Sequence, residues 1–123
     1  NTALGKKKNL LIYGKDYAST DGTCIRDFIH IKDLVNGHIK AMIFSMKNRG
    51  NFEFNLGTGQ GTTVLQLVSS FKSINKVKIP YLIRKKRNGD AFKLVACTKL
   101  ARSKLGWQAK YDIEDMCKDS YFK

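Results

Sequence analysis

The chain has 123 residues, enough for one domain or part of one, and its 42% hydrophobic content suffices for a modest core. Seven Phe, five Tyr and one Trp exclude a disordered chain, and no apolar run approaches the ~20 residues that span a bilayer. Lysine and arginine number 23 against 10 acidic residues, a net charge of +13 that brings polyanions, nucleic acid and phosphate-bearing ligands forward as partners.

In chain order, the apolar run Leu10-Leu-Ile-Tyr-Gly14 reads as a strand ended by glycine, and the polar stretch through Asp21-Gly22-Thr23 as a loop. Cys24 to Ile31 reads as a second strand, with Asp33 capping a helix whose apolar members are Val35, Ile39, Met42 and Met46. Gly37 in mid-helix costs about 1 kcal/mol relative to Ala, which a close contact with a neighbouring element would explain. Phe52, Phe54 and Leu56 alternate with polar residues as in a half-buried strand. The Gly57-Thr-Gly-Gln-Gly61 turn follows, and Thr63-x-x-Gln66 opens a helix as a capping box, with Val64, Leu67, Val68 and Phe71 on its buried side. Pro80 precedes a short apolar segment, Asn88-Gly89 marks a turn, and Ala91 to Ala96 reads as another strand. Thr98 caps a short helix stopped by Gly106, and Asp112 caps the last one, with Ile113, Met116, Cys117 and Tyr121 on its apolar face. Strands alternating with helices place the chain in the α/β class.

The basic residues are densest at Lys6-Lys7-Lys8 and Arg84-Lys85-Lys86-Arg87; solvated faces and phosphate sites both have this look. Cys24, Cys97 and Cys117 form neither a disulfide framework nor a zinc ligand set, which suits a reduced, cytoplasmic chain. The first eight residues carry neither an initiating Met nor an apolar leader, so the chain reads as if cut from something longer.

Four groups of residues invite chemistry. Gly57-x-Gly59 before a capped helix resembles a phosphate-holding turn. Its third glycine is replaced by Thr62 and no acidic residue follows at about 20 positions, so it reads as a tight turn into a helix. Arg26-Asp27 is either a strand-edge ion pair or a phosphate-binding guanidinium held by its neighbour. His30 with Asp33 has the elements of a dyad but no paired nucleophile, and a satisfied, partly buried histidine is the simpler reading. Arg87-Asn-Gly-Asp90 sets a cation and an acid on two sides of a turn, and a solvated turn accounts for it.

Together the pieces are more specific. Tyr13-Gly14, Asp16-Tyr17, Thr20-Asp-Gly-Thr23, Arg26-Asp27, Ile29-His30, Asp33-Leu34 and Gly37-His38 stand in the order of one family. Asn55-Leu-Gly-Thr-Gly59, Val64-Leu65, Lys78-Ile-Pro-Tyr81, Arg87-x-Gly-Asp90, Leu105-Gly-Trp107, Met116-Cys117 and Asp119 continue the series. From about Leu10 to Phe122 the chain resembles the C-terminal portion of the UDP-glucose 4-epimerases, also called UDP-galactose 4-epimerases, of the extended short-chain dehydrogenase/reductase superfamily.

The resemblance implies an α/β fragment that carries the substrate-binding lobe, with helix and strand elements that pack on a Rossmann NAD-binding lobe absent from this chain. Family members oxidise C4 of a UDP-hexose with bound NAD, let the keto-sugar turn, and return the hydride to its other face. The glycine turn for NAD and the Tyr-x-x-x-Lys base belong to the N-terminal lobe, so no cofactor site and no catalytic residue is expected here, and the isolated chain is expected to be inactive. By position, Leu11, Ile12 and Tyr13 match the strand beside uracil, Arg26 and Arg87 the diphosphate ligands, and Asp90 the ribose-hydroxyl acceptor. Leu94 matches a position that borders the sugar's N-acetyl pocket. Phe28, Lys86, Cys97 and Tyr121 depart from the family's usual residues, which bears on affinity and sugar choice.

The implied partners are UDP-glucose and UDP-galactose, with no membrane. A homodimer stays open for the full-length parent. Two other readings remain: another nucleotide-sugar-modifying enzyme of the same superfamily, and a small basic nucleic-acid-binding module. The second would need aromatic residues interleaved with the lysines, which positions 6–8 and 84–87 lack.

Overall fold

The computed structural model describes residues 1–121, so Phe122, the far end of the family resemblance, lies outside the described residues. Five short strands and four helices follow one another among these residues: β1 (Leu10–Tyr13), β2 (Ile25–Arg26), α1 (Ile31–Lys47), β3 (Thr62–Thr63), α2 (Val64–Asn75), β4 (Tyr81–Arg84), β5 (Lys93–Leu94), α3 (Lys99–Leu105) and α4 (Ile113–Asp119). This is a mixed α/β arrangement with two small sheets. In one, β1 and β4 run parallel, with Leu10 opposite Tyr81 and Tyr13 opposite Arg84. In the other, β2 lies between antiparallel β3 and parallel β5, and Arg26 is opposite Leu94. Helix α2 packs on α4, and α1 on α3.

Side-chain caps set where helices α2 and α4 start. Thr63 and Gln66 satisfy each other's backbone N–H groups at the head of α2, and Asp112 and Asp115 do the same for α4. Thr98 precedes α3 as expected, but its side chain makes no capping bond; Gly106, in the left-handed region, ends that helix.

Helix α1 begins three residues earlier than the sequence suggested. Its cap is His30, whose Nδ1 accepts the Lys32 N–H at 3.0 Å. Asp33 instead lies buried in the first turn, where its carboxylate accepts the backbone N–H groups of Lys110 and Tyr111 at 2.9 and 3.0 Å. The close contact expected at Gly37 is present. A Cβ there would lie 2.7 Å from Leu56 Cδ1 and 3.1 Å from the Trp107 ring.

Of three strands the alternation implied, two are shorter and one does not form. From Cys24 to Ile31 only Ile25–Arg26 pairs, because Asp27 binds the adjacent backbone through its carboxylate and His30 starts a helix. From Ala91 to Ala96 only Lys93–Leu94 pairs. Phe52 to Leu56 forms no strand, since no strand lies beside it among the described residues. There the rings of Phe52 and Phe54 meet Phe44 of α1 edge-on, at 4.9 and 5.6 Å. No helix is long and apolar enough to cross a membrane among the described residues.

Candidate functional site

The site is assembled where β4 ends and β2 meets β5. The parallel β1–β4 register sets Tyr13 beside Arg84, and Gly14 N–H continues the ladder by donating to the Arg84 carbonyl at 2.9 Å. The chain then runs through Lys85–Asn88 and reverses at Gly89, whose φ of +78° suits glycine. Asp90 N–H closes that turn on the Arg87 carbonyl at 3.3 Å. From the other side, Ile25 N–H donates to the Phe92 carbonyl at 2.9 Å, which brings Arg26 of β2 to the segment that follows Asp90.

Asp90 is the meeting point. Its Oδ2 accepts from Arg87 Nε at 3.0 Å, and its Oδ1 lies 3.4 Å from Arg26 Nη2. The Arg87 guanidinium carbon also lies 4.8 Å from the Tyr13 ring centroid, a cation–π distance. The hydrogen bond from Arg87 to Asp90, and then that carboxylate's charge, hold the guanidinium still more firmly protonated than usual. Two guanidinium groups converging on one carboxylate can exchange that carboxylate for a diphosphate, because both anions suit the same planar fork.

The loop that leads into β2 is fixed by Asp21. Its carboxylate accepts from the Thr23 N–H at 2.9 Å, from the Thr23 hydroxyl at 2.7 Å and from the Thr63 hydroxyl. Burial pushes this carboxyl up, but the bonds from Thr63 and Thr23 outweigh it and leave the group below an ordinary aspartate. The loop before β2 is thereby tied to the head of α2, which sets the strand that carries Arg26.

Each anticipated residue finds a definite place. Tyr13, Arg26, Arg87 and Asp90 come together. Leu94 is the register partner of Arg26 and is 55% exposed. Leu11 is 43% exposed and open to a ligand, whereas Ile12, at 2%, points into the core and can meet one only through its backbone. The acid that neighbours Arg26 in sequence does not hold it. Asp27 faces the glycine turn, where it accepts the N–H groups of Thr58, Gly59 and Ala96 at 2.9, 2.9 and 3.2 Å. A Cβ at Gly57 would sit 2.5 Å from Asp27 Oδ2. The turn's glycine therefore makes room for a carboxylate of the chain itself, and its donors do not fit a dinucleotide pyrophosphate.

His30 and Asp33 form no dyad. His30 is buried, stacks on Tyr111 with centroids 4.5 Å apart, and presents Nε2 to Asp119 at 3.4 Å. With Nδ1 accepting from Lys32 N–H, the hydrogen belongs on Nε2. Asp119 also takes the Lys32 ammonium at 2.7 Å, the main reason its carboxyl lies low.

The pairing of Lys86 with Tyr17, two residues that the sequence placed in a basic cluster and in the family series, was not anticipated. Tyr17 is 5% exposed, and the Lys86 ammonium lies 3.9 Å from its ring centroid. Its ring slides against the end of β1 only because residue 14 is glycine; a Cβ there would lie 2.5 Å from Tyr17 Cε2. The sequence signal was a glycine three residues ahead of a tyrosine, which carries little information by itself.

Beside the cluster, Gly14–Asp16 and Ile83–Asp90 enclose an open cleft of about 820 Å³. A family model described as GDP-mannose 4,6 dehydratase matches residues 1–120, nearly the whole chain. The chain belongs to this family. Within it, the chain is 46% identical over 121 residues to a UDP-glucose 4-epimerase of Cyamopsis tetragonoloba, covering 97% of this chain and 34% of that protein. It is 40% identical to the UDP-glucose 4-epimerase of Bacillus subtilis (strain 168), covering 97% and 35%. Among solved structures, the UDP-glucose 4-epimerase of Stenotrophomonas maltophila, with bound NAD and formylated UDP-arabinopyranose, matches with a TM-score of 0.92 and 39% identity. That of Bifidobacterium longum, in complex with NAD+ and UDP, matches with a TM-score of 0.90 and 38% identity. In both cases 97% of this chain and 35% of the other are covered. This member of the dehydratase family thus spans about a third of the epimerases it matches.

Proposed function

We propose that this chain is the UDP-sugar-gripping, C-terminal portion of an NAD-dependent UDP-glucose 4-epimerase, which interconverts UDP-glucose and UDP-galactose. The convergence of Arg26 and Arg87 on Asp90, with Tyr13 beneath Arg87, carries the reading. The diphosphate replaces Asp90 as the counter-ion of both guanidinium groups. Asp90, so released, accepts the ribose hydroxyls, and Tyr13 with Leu11 and the β1 backbone faces the uracil. Leu94, the register partner of Arg26, stands at the sugar end.

NAD and the proton-transferring base belong, in this reading, to the remainder of the protein. The glycine turn ahead of the capped helix α2 is filled by Asp27, so the chain's own role is to bind and orient. The free thiols of Cys24, Cys97 and Cys117 suit a reducing, cytoplasmic setting. Epimerases dominate the relatives described above, while the family model takes its description from a dehydratase. Turnover of UDP-galactose by the complete protein separates the two.

Calorimetric titration of the chain with UDP-glucose tests the grip. Saturable binding that falls at least about tenfold in Arg26→Ala and in Arg87→Ala supports the proposal, since each removes a charge-assisted bond worth roughly 1.5–3 kcal/mol. Binding indifferent to both substitutions would sink it.

A further inference from the structure

Among the described residues, one buried side-chain polar atom makes no hydrogen bond: the hydroxyl of Tyr17. Tyr17 is 5% exposed, so this group has lost water and gained no partner. A buried donor of that kind opposes folding and calls for a physical reason, since phenylalanine would fill the same space without the penalty.

Its surroundings supply one. The ring is clasped by both ends of the turn that carries Arg87 and Asp90: the Lys86 ammonium lies 3.9 Å from its centroid, and Phe92 stacks on it at 6.3 Å. Gly14, at the end of β1, closes a further side so tightly that it has no room for a Cβ. The hydroxyl is thereby held inside, next to the cluster. Burial pushes its pKa up, and among the neighbouring charges the Asp90 carboxylate does most to raise it further. That carboxylate is already taken, with Oδ2 on Arg87 and Oδ1 facing Arg26. Cys24 offers only a weak sulfur acceptor, and Asp16 is exposed.

We infer that Tyr17 is a positioning residue for Asp90: when a diphosphate takes Arg26 and Arg87, the freed carboxylate turns onto the Tyr17 hydroxyl. The inference rests on the UDP-binding reading above and deepens it. The hydroxyl donates to one carboxylate oxygen and leaves the other for the ribose; a carboxylate has about four acceptor sites, so it takes both donors at once. A Cβ added at Gly89 would meet nothing within 4 Å, so the turn has space for the carboxylate to swing. The hydroxyl is thus a partner reserved for the bound state. Without it, exchanging Asp90 for phosphate would leave a largely buried carboxylate bare, which opposes binding.

The test is a double-mutant cycle between Tyr17→Phe and Asp90→Ala, read by calorimetry of the chain with UDP-glucose and with inorganic pyrophosphate. Urea unfolding without ligand is run on each variant. Tyr17→Phe removes one hydroxyl and keeps the ring, its stack and its ammonium, so the ligand-free chain should be at least as stable as the parent. Both ligands should nevertheless bind about tenfold more weakly, as for one lost hydrogen bond to a charged group. In the Asp90→Ala background the same substitution should change neither affinity. An equal loss in both backgrounds overturns the inference, because the hydroxyl then acts without Asp90. A Tyr17→Phe chain that binds both ligands as the parent does also overturns it. So does one that is less stable when free, since the hydroxyl then has a partner before any ligand arrives. If pyrophosphate binds and UDP-glucose does not, the sugar-nucleotide reading fails, and the pyrophosphate cycle decides Tyr17 by the same outcomes. A parent chain that binds neither ligand overturns both.

Discussion

Trp107 donates its indole N–H to the main-chain carbonyl of Asp33 at 3.1 Å, across 74 residues of chain and with both residues buried. The Asp33 carboxylate meanwhile holds the backbone of Lys110 and Tyr111. Helix α1 is thus pinned to the segment between α3 and α4, and Gly37 leaves room for the indole to approach it closely. Trp107→Phe should cost about 2–3 kcal/mol, from lost volume and an abandoned acceptor. Gly37→Ala should cost about 1–3 kcal/mol by overpacking, beyond any gain in helix propensity. Urea titrations followed by circular dichroism measure both; a Trp107→Phe chain as stable as the parent would refute the pin.

Asp27 does for the 57–59 turn what a strand ladder does elsewhere. Removing it leaves three backbone donors facing one another without an acceptor. Asp27→Ala is therefore expected to cost about 2–3 kcal/mol and to loosen the segment after β5, which Ala96 N–H ties to the same carboxylate. Hydrogen exchange at Thr58, Gly59 and Ala96 reports this directly. Protection unchanged in the variant would mean that the turn holds itself.

What the sequence revealed follows the range of the interactions. The Thr63–Gln66 and Asp112–Asp115 capping boxes, the strand at Leu10–Tyr13 and the tight fit at Gly37 were legible, because three or four residues decide each or a helical period frames it. The partner of Arg26 was not, because Asp90 lies 64 residues away while Asp27 stands adjacent and has the right charge. His30 as a helix cap was hidden by its chemistry: Asp33 is the commoner capping residue, and only the fold shows it facing Lys110. The alternation at Phe52–Leu56 promised a strand that needs a neighbour, and pairing is not a local property. The site's residues were reached through family resemblance rather than spacing.

Acid should weaken the fold through Asp21. Its carboxyl is lower folded than unfolded, so the stability it contributes is fully present above the ordinary aspartate value of 3.8 and is lost as pH falls through the folded value. Asp21→Asn is expected to be less stable at neutral pH and to show a shallower loss in the acid range. Asp119, also held low by Lys32, keeps some slope in the variant. Urea midpoints collected from pH 7 down to about 2.5 give the comparison; parallel curves would show that the fold does not hold the Asp21 carboxyl low.

Asp90 competes with phosphate before binding and, in the proposed reading, assists ribose after it. Asp90→Ala should therefore raise affinity for inorganic pyrophosphate, which gains two guanidinium groups without displacing a carboxylate. The same substitution should lower affinity for UDP-glucose relative to pyrophosphate, because the ribose loses its acceptor. The discriminating quantity is the ratio of the two dissociation constants, expected to shift by about tenfold or more for one lost charge-assisted bond. A ratio that stays put would separate Asp90 from ribose recognition while leaving the arginines in place.

Helix α1 carries Ile31, Val35, Ile39, Met42 and Met46 on an open face, with Met46 80% exposed, and the unpaired Phe52–Leu56 segment follows it. An apolar face of that length is a liability for an isolated chain. In the proposed reading it is covered by the remaining two-thirds of the epimerase, which supplies the missing strand and the NAD lobe. Val35→Glu with Met42→Glu should then make the 123-residue chain less prone to aggregate, as light scattering would show. The same pair should abolish epimerase activity when placed in the complete protein, even though neither residue borders the UDP cluster. Full activity in that doubly substituted protein would mean that α1 faces water there too, and the assignment of this surface to an interlobe contact would fall.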